Sequence, residues 1–511
     1  MRTKINIGLA TLIFFAVMLP LTVYGAAATE RMGRPLSTSF TYNFWGTPVR
    51  SPDPYELVAI LTGSELGIGD FRRVVDVTFD ANGYAFLADS MNNRIVRLAP
   101  DLSLARIYDR FEALDPPGLN QPSGIFVTHD GYIYISDTFN ARIIKINEAG
   151  DVIQVFYEPV DPLLPEGFVY RPMHLAVDAG GRIFVLSHAF NNGIITLNPD
   201  GSFGGFLAAA RVTPTTWQIF WRQFATIEMR RRMADFVPIE YTAMEMDSEG
   251  FLLTITATVS PSLIMREVEN RDREPTEGGS PVRRLNMNGQ DIMRRNGPFP
   301  TVGDVYNLSD PAPAFSGVSS FTDVAAGENS TFYLLDNNRK RIFAYDEDGF
   351  LLYAFGGPGA SAGGFITPIA MAAHQDRLMV SDDGDGTLKF FVRTEYGRLI
   401  HRAIYYHNMG LFGSAEMQWR QVLTHNANFE MAYIGIGRAL FRENRYREAM
   451  HYFRLGNHRE LYSRAFAEHR NLIIAQLLPV VMIIILVLLL GSSLLQFVKY
   501  VKNYRRGVIE L

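Results

Sequence analysis

Asp76, His174 and Asp323 are the side chains in this sequence best suited to hold a reacting group. Each stands thirteen residues before the end of a short apolar segment that recurs along the chain. The corresponding positions in the other copies are Gly124, Ala243 and, after a shorter turn, Ala370. Donor-bearing and small residues therefore alternate from copy to copy. Two carboxylates and an imidazole form an acceptable donor set for a divalent cation, and a divalent metal ion is the one cofactor the sequence offers. The competing reading is that polar residues at strand starts cap backbone groups that face water. No catalytic residue is assigned, because the chain has no G-x-S-x-G elbow, no glycine loop built for phosphate and no H-E-x-x-H pair. The absence of cysteine excludes disulfides, thiolate metal sites and a thiol nucleophile. With 48 Lys and Arg against 53 Asp and Glu, and no basic stripe interleaved with aromatics, nucleic acid is not an expected partner.

The elements that must position these residues are read from the repeat itself. Gly83–Ile95 (GYAFLADSMNNRI), Gly131–Ile143 (GYIYISDTFNARI) and Ser330–Ile342 (STFYLLDNNRKRI) superpose directly. Gly181–Ile194 and Asp376–Leu388 are weaker copies, and Gly250–Thr256 is the most eroded. In the best unit, Pro122–Glu158, four alternating or apolar segments are separated by Asp-Gly, Ala-Gly and Asn breaks, which predicts four antiparallel strands joined by tight turns. A period of about 45 to 50 residues built this way predicts a propeller blade. The inner strands are expected at Val75–Asp80, Gly124–Asp130, His174–Asp178, Ala243–Asp247, Asp323–Gly327 and Ala370–Gln375, giving six blades over residues 55–397. Tyr55–Leu61 reads as a detached outer strand that completes the sixth blade and leaves no open edge.

Asp89, Asp137 and Asp336 close the second segment of their copies, and Arg94, Arg142 and Arg341 follow five residues later. An aspartate there can take backbone N–H bonds while an arginine pairs with it, so turn-setting is expected rather than ligand binding. The pattern D-x-x-N-x-R-I in Asp89–Ile95 and Asp137–Ile143 resembles the NHL-repeat family of six-bladed propellers, over about residues 57–397 and least well in blade four. That resemblance implies a ring that serves mainly as a platform. Six-bladed propellers that are enzymes, such as gluconolactonase-like hydrolases and peptide-amide lyases, hold a metal at the channel mouth. The resemblance therefore directs the metal reading to Asp76, His174 and Asp323.

Two segments interrupt the ring. Residues 213–235 are expected as a helical insert, with Trp217, Trp221 and Phe224 on one face as a candidate partner surface, and 266–279 as a charged mobile loop. Residues 398–470 show a second period of thirty-four, aligning Ala403 with Gly437, Phe412 with Tyr446, Ala415 with Ala449 and Trp419 with Phe453. This resembles two tetratricopeptide repeats, followed by a capping helix. The chain starts with Arg2 and Lys4, an apolar run and Gly25-Ala26-Ala27-Ala28, which reads as a secretory signal peptide over 1–28, with an uncleaved anchor as the alternative. An extended segment, 29–54, follows. Residues 472–498 are apolar enough to cross a bilayer as one helix, and Lys499, Lys502, Arg505 and Arg506 place the tail 499–511 in the cytoplasm.

The expected fold is thus mainly β: a six-bladed propeller, then an α-helical tetratricopeptide-like module and one C-terminal transmembrane helix. The expected function is a non-enzymatic, membrane-anchored extracellular platform that binds a protein, peptide or glycan. The alternative is a metal-dependent hydrolase or lyase of the gluconolactonase-like propeller type.

Overall fold

The computed structural model describes residues 39–165, 167–188, 190, 193–208, 240–256, 259–270, 280–305, 318–359 and 363–509. The signal-peptide segment 1–28, the insert 213–235 with Trp217, Trp221 and Phe224, and residues 271–279 lie outside them. The described residues form six antiparallel sheets, which are the six blades. Their inner strands are Val74–Phe79, Gly124–Val127, Pro172–Val177, Tyr241–Met246, Phe321–Ala326 and Pro368–His374.

Second strands such as Ile133–Asp137 and Phe332–Asp336 are buried at every position. The reason is that each sheet is covered on both faces by its neighbours. The core is accordingly a ring of apolar seams between blades, and not one central cluster. Ile95, Ile125, Ile135 and Ile144 fill the seam between blades one and two, while Leu175, Val185 and Ile195 pack with Tyr134 and Ile143 between two and three. Continuous burial explains why these strands read as apolar runs and only weakly as alternating ones.

The ring closes with a strand from the other end of the propeller sequence. Tyr55–Thr62 pairs antiparallel with Thr387–Arg393, from Thr62 opposite Thr387 to Tyr55 opposite Arg393. The preceding segment is more than an extended lead-in, because Phe40–Tyr42 and Pro48–Arg50 form a hairpin that adds to the outer strand Leu351–Gly356 of blade five. Blade four has three strands among the described residues, the last being Val282–Leu285, and its outer edge is reduced to one bridge from Leu285 to Asp291. The expected charged loop also needs correcting. Arg266–Asn270 lie in a helix, Pro261–Asn270, whose Ile264 and Val268 are buried against Val302.

The chain divides into two compact units, residues 1–401 and 402–511. In the second, helices Phe412–His425, Glu430–Arg442 and Tyr446–Leu455 pack through glycines. A Cβ on Gly435 would lie 2.4 Å from the Trp419 ring, and one on Gly437 would lie 2.6 Å from Phe453. Only the missing side chains allow the helices to approach that closely. The last helix, Arg459–Ile509, runs unbroken for 51 residues, or about 76 Å.

Candidate functional site

Most of the recurring charges are consumed inside the blades. In blade two, Asp137 accepts the Asn120 backbone N–H (2.7 Å), the Asn140 amide (2.9 Å) and the Arg142 Nε–H (2.8 Å). Arg142 also donates to the carbonyl of Pro116 at 2.6 Å, and neither charged side chain is more than 1 % exposed. Blade one repeats the arrangement with Asp89, Asn92 and Arg94 around the Arg72 N–H and the Ile68 carbonyl. All three polar letters of the motif therefore tie the loop before the blade to its second and third strands. Blade five uses the same letters differently. Arg341 donates to Asp304 at 3.0 Å, and Asp336 takes the backbone N–H groups of Ser320 and Asn338.

The three candidate metal ligands project from bulged inner strands, with the pairing to the second strand slipping between Val74 and Val77 and between Pro172 and Leu175. His174 Nδ1 and Asp76 Oδ2 approach to 4.0 Å. Asp323 interacts electrostatically with Asp76. Both carboxylates are already in use, however. Asp76 accepts the N–H of Ile125 at 2.8 Å in blade two, and Asp323 accepts the N–H of Met371 at 2.7 Å in blade six. Each bridges to the blade that carries a small residue at the equivalent position, Gly124 or Ala370. Gly124 has a reason of its own to be small, since a Cβ there would meet the carbonyl of Met173 at 1.9 Å. At Asp76 and Asp323 the alternation of polar and small residues is thus satisfied by stitching one blade to the next. Among the described residues, no group of three or more imidazole and carboxylate side chains is placed to hold a metal ion.

A fourth ionisable group of this set, Glu245, escaped the sequence reading. It accepts the N–H of Ala326 at 2.7 Å and interacts with both Asp323 and Asp76. It lies one strand period beyond Ala243, on the same face, and that alternation was the signal available. Burial raises the Glu245 and Asp323 carboxyls well above the usual range, and raises that of Asp76 to about 7. Burial also lowers His174 to about 4. The cause is common to all: little water reaches these groups, and the charged forms are disfavoured.

A pH signature follows. Asp76 titrates near 3.9 in the unfolded chain and at about 7 when folded, so it lowers stability progressively as pH rises through that window. Asp76→Asn should gain on the wild type from pH 4 to 7 and hold a constant lead above. For His174 the folded value lies below the unfolded 6.5, so stability is lost as pH falls from 6.5 towards 4. His174→Gln should gain on the wild type in that direction. Denaturant titrations at several pH values check both, and flat difference curves would refute the assignment.

A second polar cluster, also missed, sits where the ring closes. Arg393 donates to the Tyr55 hydroxyl (3.0 Å) and to Asp376 (2.9 Å), Tyr55 and Tyr333 share a bond of 2.9 Å, and the Tyr353 hydroxyl meets His401 Nε2 at 2.6 Å. Burial, and then the Arg393 charge, press the His401 pKa well below its ordinary value, so this imidazole is neutral. The cluster holds strands together.

A cavity lies elsewhere, where the turns between first and second strands meet. It measures about 470 Å³ and is lined by residues of blades two, three and four, including Phe126, Tyr132, Lys145, Val177 and Met246.

No protein-family model matches the chain, and no curated protein sequence does. Solved structures with a similar course include catalytically inactive virginiamycin B lyase from Staphylococcus aureus with quinupristin (12 % identity, 63 % of this chain and 80 % of that one, TM-score 0.37). A streptogramin B lyase covers 71 % of this chain and 95 % of its own at 13 % identity and TM-score 0.37. A protein of unknown function from Bacteroides thetaiotaomicron covers 70 % and 75 % at 9 % identity and TM-score 0.40. Likenesses this distant assign no activity to the chain.

Proposed function

We propose that the chain is a single-pass membrane protein whose propeller, an NHL-type ring, is held outside the cell as a non-catalytic binding and assembly platform. The observation that carries this reading is the helix Arg459–Ile509, whose apolar stretch is long enough to cross a bilayer and is not buried at all within the chain. A soluble protein would cover such a surface. The sequence supports the orientation: a signal-like start, and Lys499, Lys502, Arg505 and Arg506 after the apolar stretch. The use of the motif charges inside the blades supports a ring without catalysis of its own.

The paired helices of 398–470 are tetratricopeptide-like in this reading and offer a surface for a protein or peptide. The ring would take a protein, peptide or glycan, with Trp217, Trp221 and Phe224 as a candidate contact. Removing residues 472–511 should move the chain from the alkali-resistant membrane pellet to the soluble fraction. Protease added to intact cells should digest the propeller and spare the C-terminal tail. A truncated chain that stays in the pellet, or a propeller protected in intact cells, would overturn the reading.

The metal-dependent hydrolase or lyase keeps one favourable observation, the 4.0 Å approach of His174 to Asp76. Melting curves with and without manganese or zinc separate the two. The platform reading expects no metal-dependent shift, whereas a rise of several degrees that disappears in His174→Ala would favour the enzyme.

A further inference from the structure

One rung of the propeller carries a cation in three blades, and in one of them the cation has lost its partners. Arg97, Lys145 and Arg284 stand opposite Phe86, Tyr134 and Leu253 at the same place between second and third strands. Arg97 reaches Glu148 at 2.6 Å and Asp80 at 3.7 Å. Arg284 reaches Asp247 at 2.6 Å and Glu249 at 3.3 Å. Among the described residues, Lys145 has no such carboxylate.

The substitutions responsible are visible in the turns. The N–H groups of Asp80, Thr128 and Asp247 each bond the carbonyl four residues on, so the three positions are equivalent. Asp80 and Asp247 use one carboxylate oxygen to accept the turn N–H of Tyr84 and Phe251, both at 2.9 Å. The Thr128 hydroxyl does the same for Tyr132 at 3.0 Å. What threonine lacks is the second oxygen, the one that meets the cation in the other blades. The position of Glu148 is filled in the next blade by Pro199, since both follow the Asn that opens the same turn. Lys145 is left over two rings, its ammonium 4.2 Å from the centre of Tyr132 and 5.4 Å from that of Tyr134.

This half-buried ammonium lines the cavity of about 470 Å³ described above, with Phe126, Tyr132, Val177 and Met246 as further walls. That volume is in the range of small-molecule sites, and its wall mixes apolar side chains with polar ones, Thr128 and His129 among them. Asp178 and Asp247 also line it but are engaged by Arg182 and Arg284, while Asp130 is exposed.

We propose that this cavity binds a small organic carboxylate, whose acid group pairs with Lys145 where the blade's own aspartate is missing and whose carbon skeleton lies against Phe126, Tyr132 and Met246. A charge-assisted bond in a partly dry pocket supplies the anchor, and the rings supply area. The carboxylates around the wall favour a single negative charge over a dianion. The inference rests on reading the ring as a binding module but not on reading the last helix as an anchor. Failure here leaves the fractionation result untouched.

Calorimetric titration of the full chain in detergent tests it, with benzoate and glucuronate as probes, benzamide and glucose as their uncharged counterparts, and inorganic phosphate as the dianion control. At least one acid should bind saturably, its uncharged counterpart and phosphate should not, and Lys145→Met should weaken the acid about tenfold or more. Lys145→Arg should retain binding. Thr128→Asp restores the internal carboxylate, and it should displace the ligand while leaving the melting temperature unchanged or higher, so that loss of binding cannot be attributed to unfolding. The proposal is overturned if neither acid binds, if phosphate binds as well as the acids, or if Thr128→Asp leaves binding intact.

Discussion

Replacing Arg142 by alanine should cost about 3–5 kcal/mol of stability, because it strands the Asp137 carboxylate in the interior without its cation. Both side chains are at most 1 % exposed, so water cannot take over the role of the guanidinium. The Pro116 carbonyl loses its 2.6 Å donor in the same step. Arg142→Lys should recover only part of the loss, since an ammonium is a point donor and cannot serve Asp137 and Pro116 together as the planar fork does. The double variant Asp137→Ala/Arg142→Ala should cost much less than the sum of its parts, because neither leaves a lone buried charge. Arg94, whose side chain is 13 % exposed, should respond in the same direction and less strongly. Denaturant unfolding of these four variants and of the single variant Asp137→Ala measures all of this. An Arg142→Ala protein within about 1 kcal/mol of wild type but altered in binding would mean that the motif pairs serve a ligand and not the turn.

That motif is also why so much of the ring was readable. In blades one and two, Asp, Asn and Arg stand at fixed offsets because each makes a bond within its own blade or to the loop just before it. Local geometry of this kind imprints a local pattern. Blade five shows where such reading fails: Asp336 and Arg341 keep their spacing, yet Arg341 answers to Asp304, thirty-seven residues away. In blade four the second strand meets Val282–Leu285 only after a helix and a further segment, so no short offset records the pairing of Ile255 with Val282. Counting put Asp76, Gly124, His174, Ala243, Asp323 and Ala370 at corresponding places on the six inner strands, but said nothing of their use. It makes Asp76 the counterpart of Gly124 in the next blade without revealing that its carboxylate is held by the Ile125 N–H across the seam. The empty place beside Lys145 became visible only once the ladders fixed which turn residues correspond. The sequence showed that the copies disagree, but it singled out neither Thr128 nor Lys145; only the registers bring that disagreement out.

The cluster at the seam of the ring was the least legible part, because Tyr55, Tyr333, Tyr353, Arg393 and His401 come from widely separated segments. It also predicts the second large effect. Tyr55→Ala should destabilise the propeller by about 3–5 kcal/mol, the range for removing a large buried aromatic. Tyr55 is 4 % exposed, stacks on Phe355 and gives Arg393 a hydroxyl acceptor at 3.0 Å. Val58 and Ile60 lie on the same strand but are 54 % and 45 % exposed, so alanine there should change stability by no more than about 0.5 kcal/mol. That contrast separates anchoring by Tyr55 from general strand propensity. Ala59→Pro goes further: it removes a backbone donor from the middle of the closing strand, which pairs Ala59 with Phe390. The outer edge of Thr387–Arg393 would then be free to pair with another chain. Size-exclusion chromatography should show concentration-dependent association for Ala59→Pro and none for Ile60→Ala. If Ala59→Pro remains unassociated and melts with the wild type, the strand is ornamental and the ring is held by its seams alone. The structure argues against that outcome, since Ala59 and Leu61 also pack into the apolar seam between blades six and one. Loss of the strand therefore opens an edge and thins a seam at once, so the two penalties should arrive together.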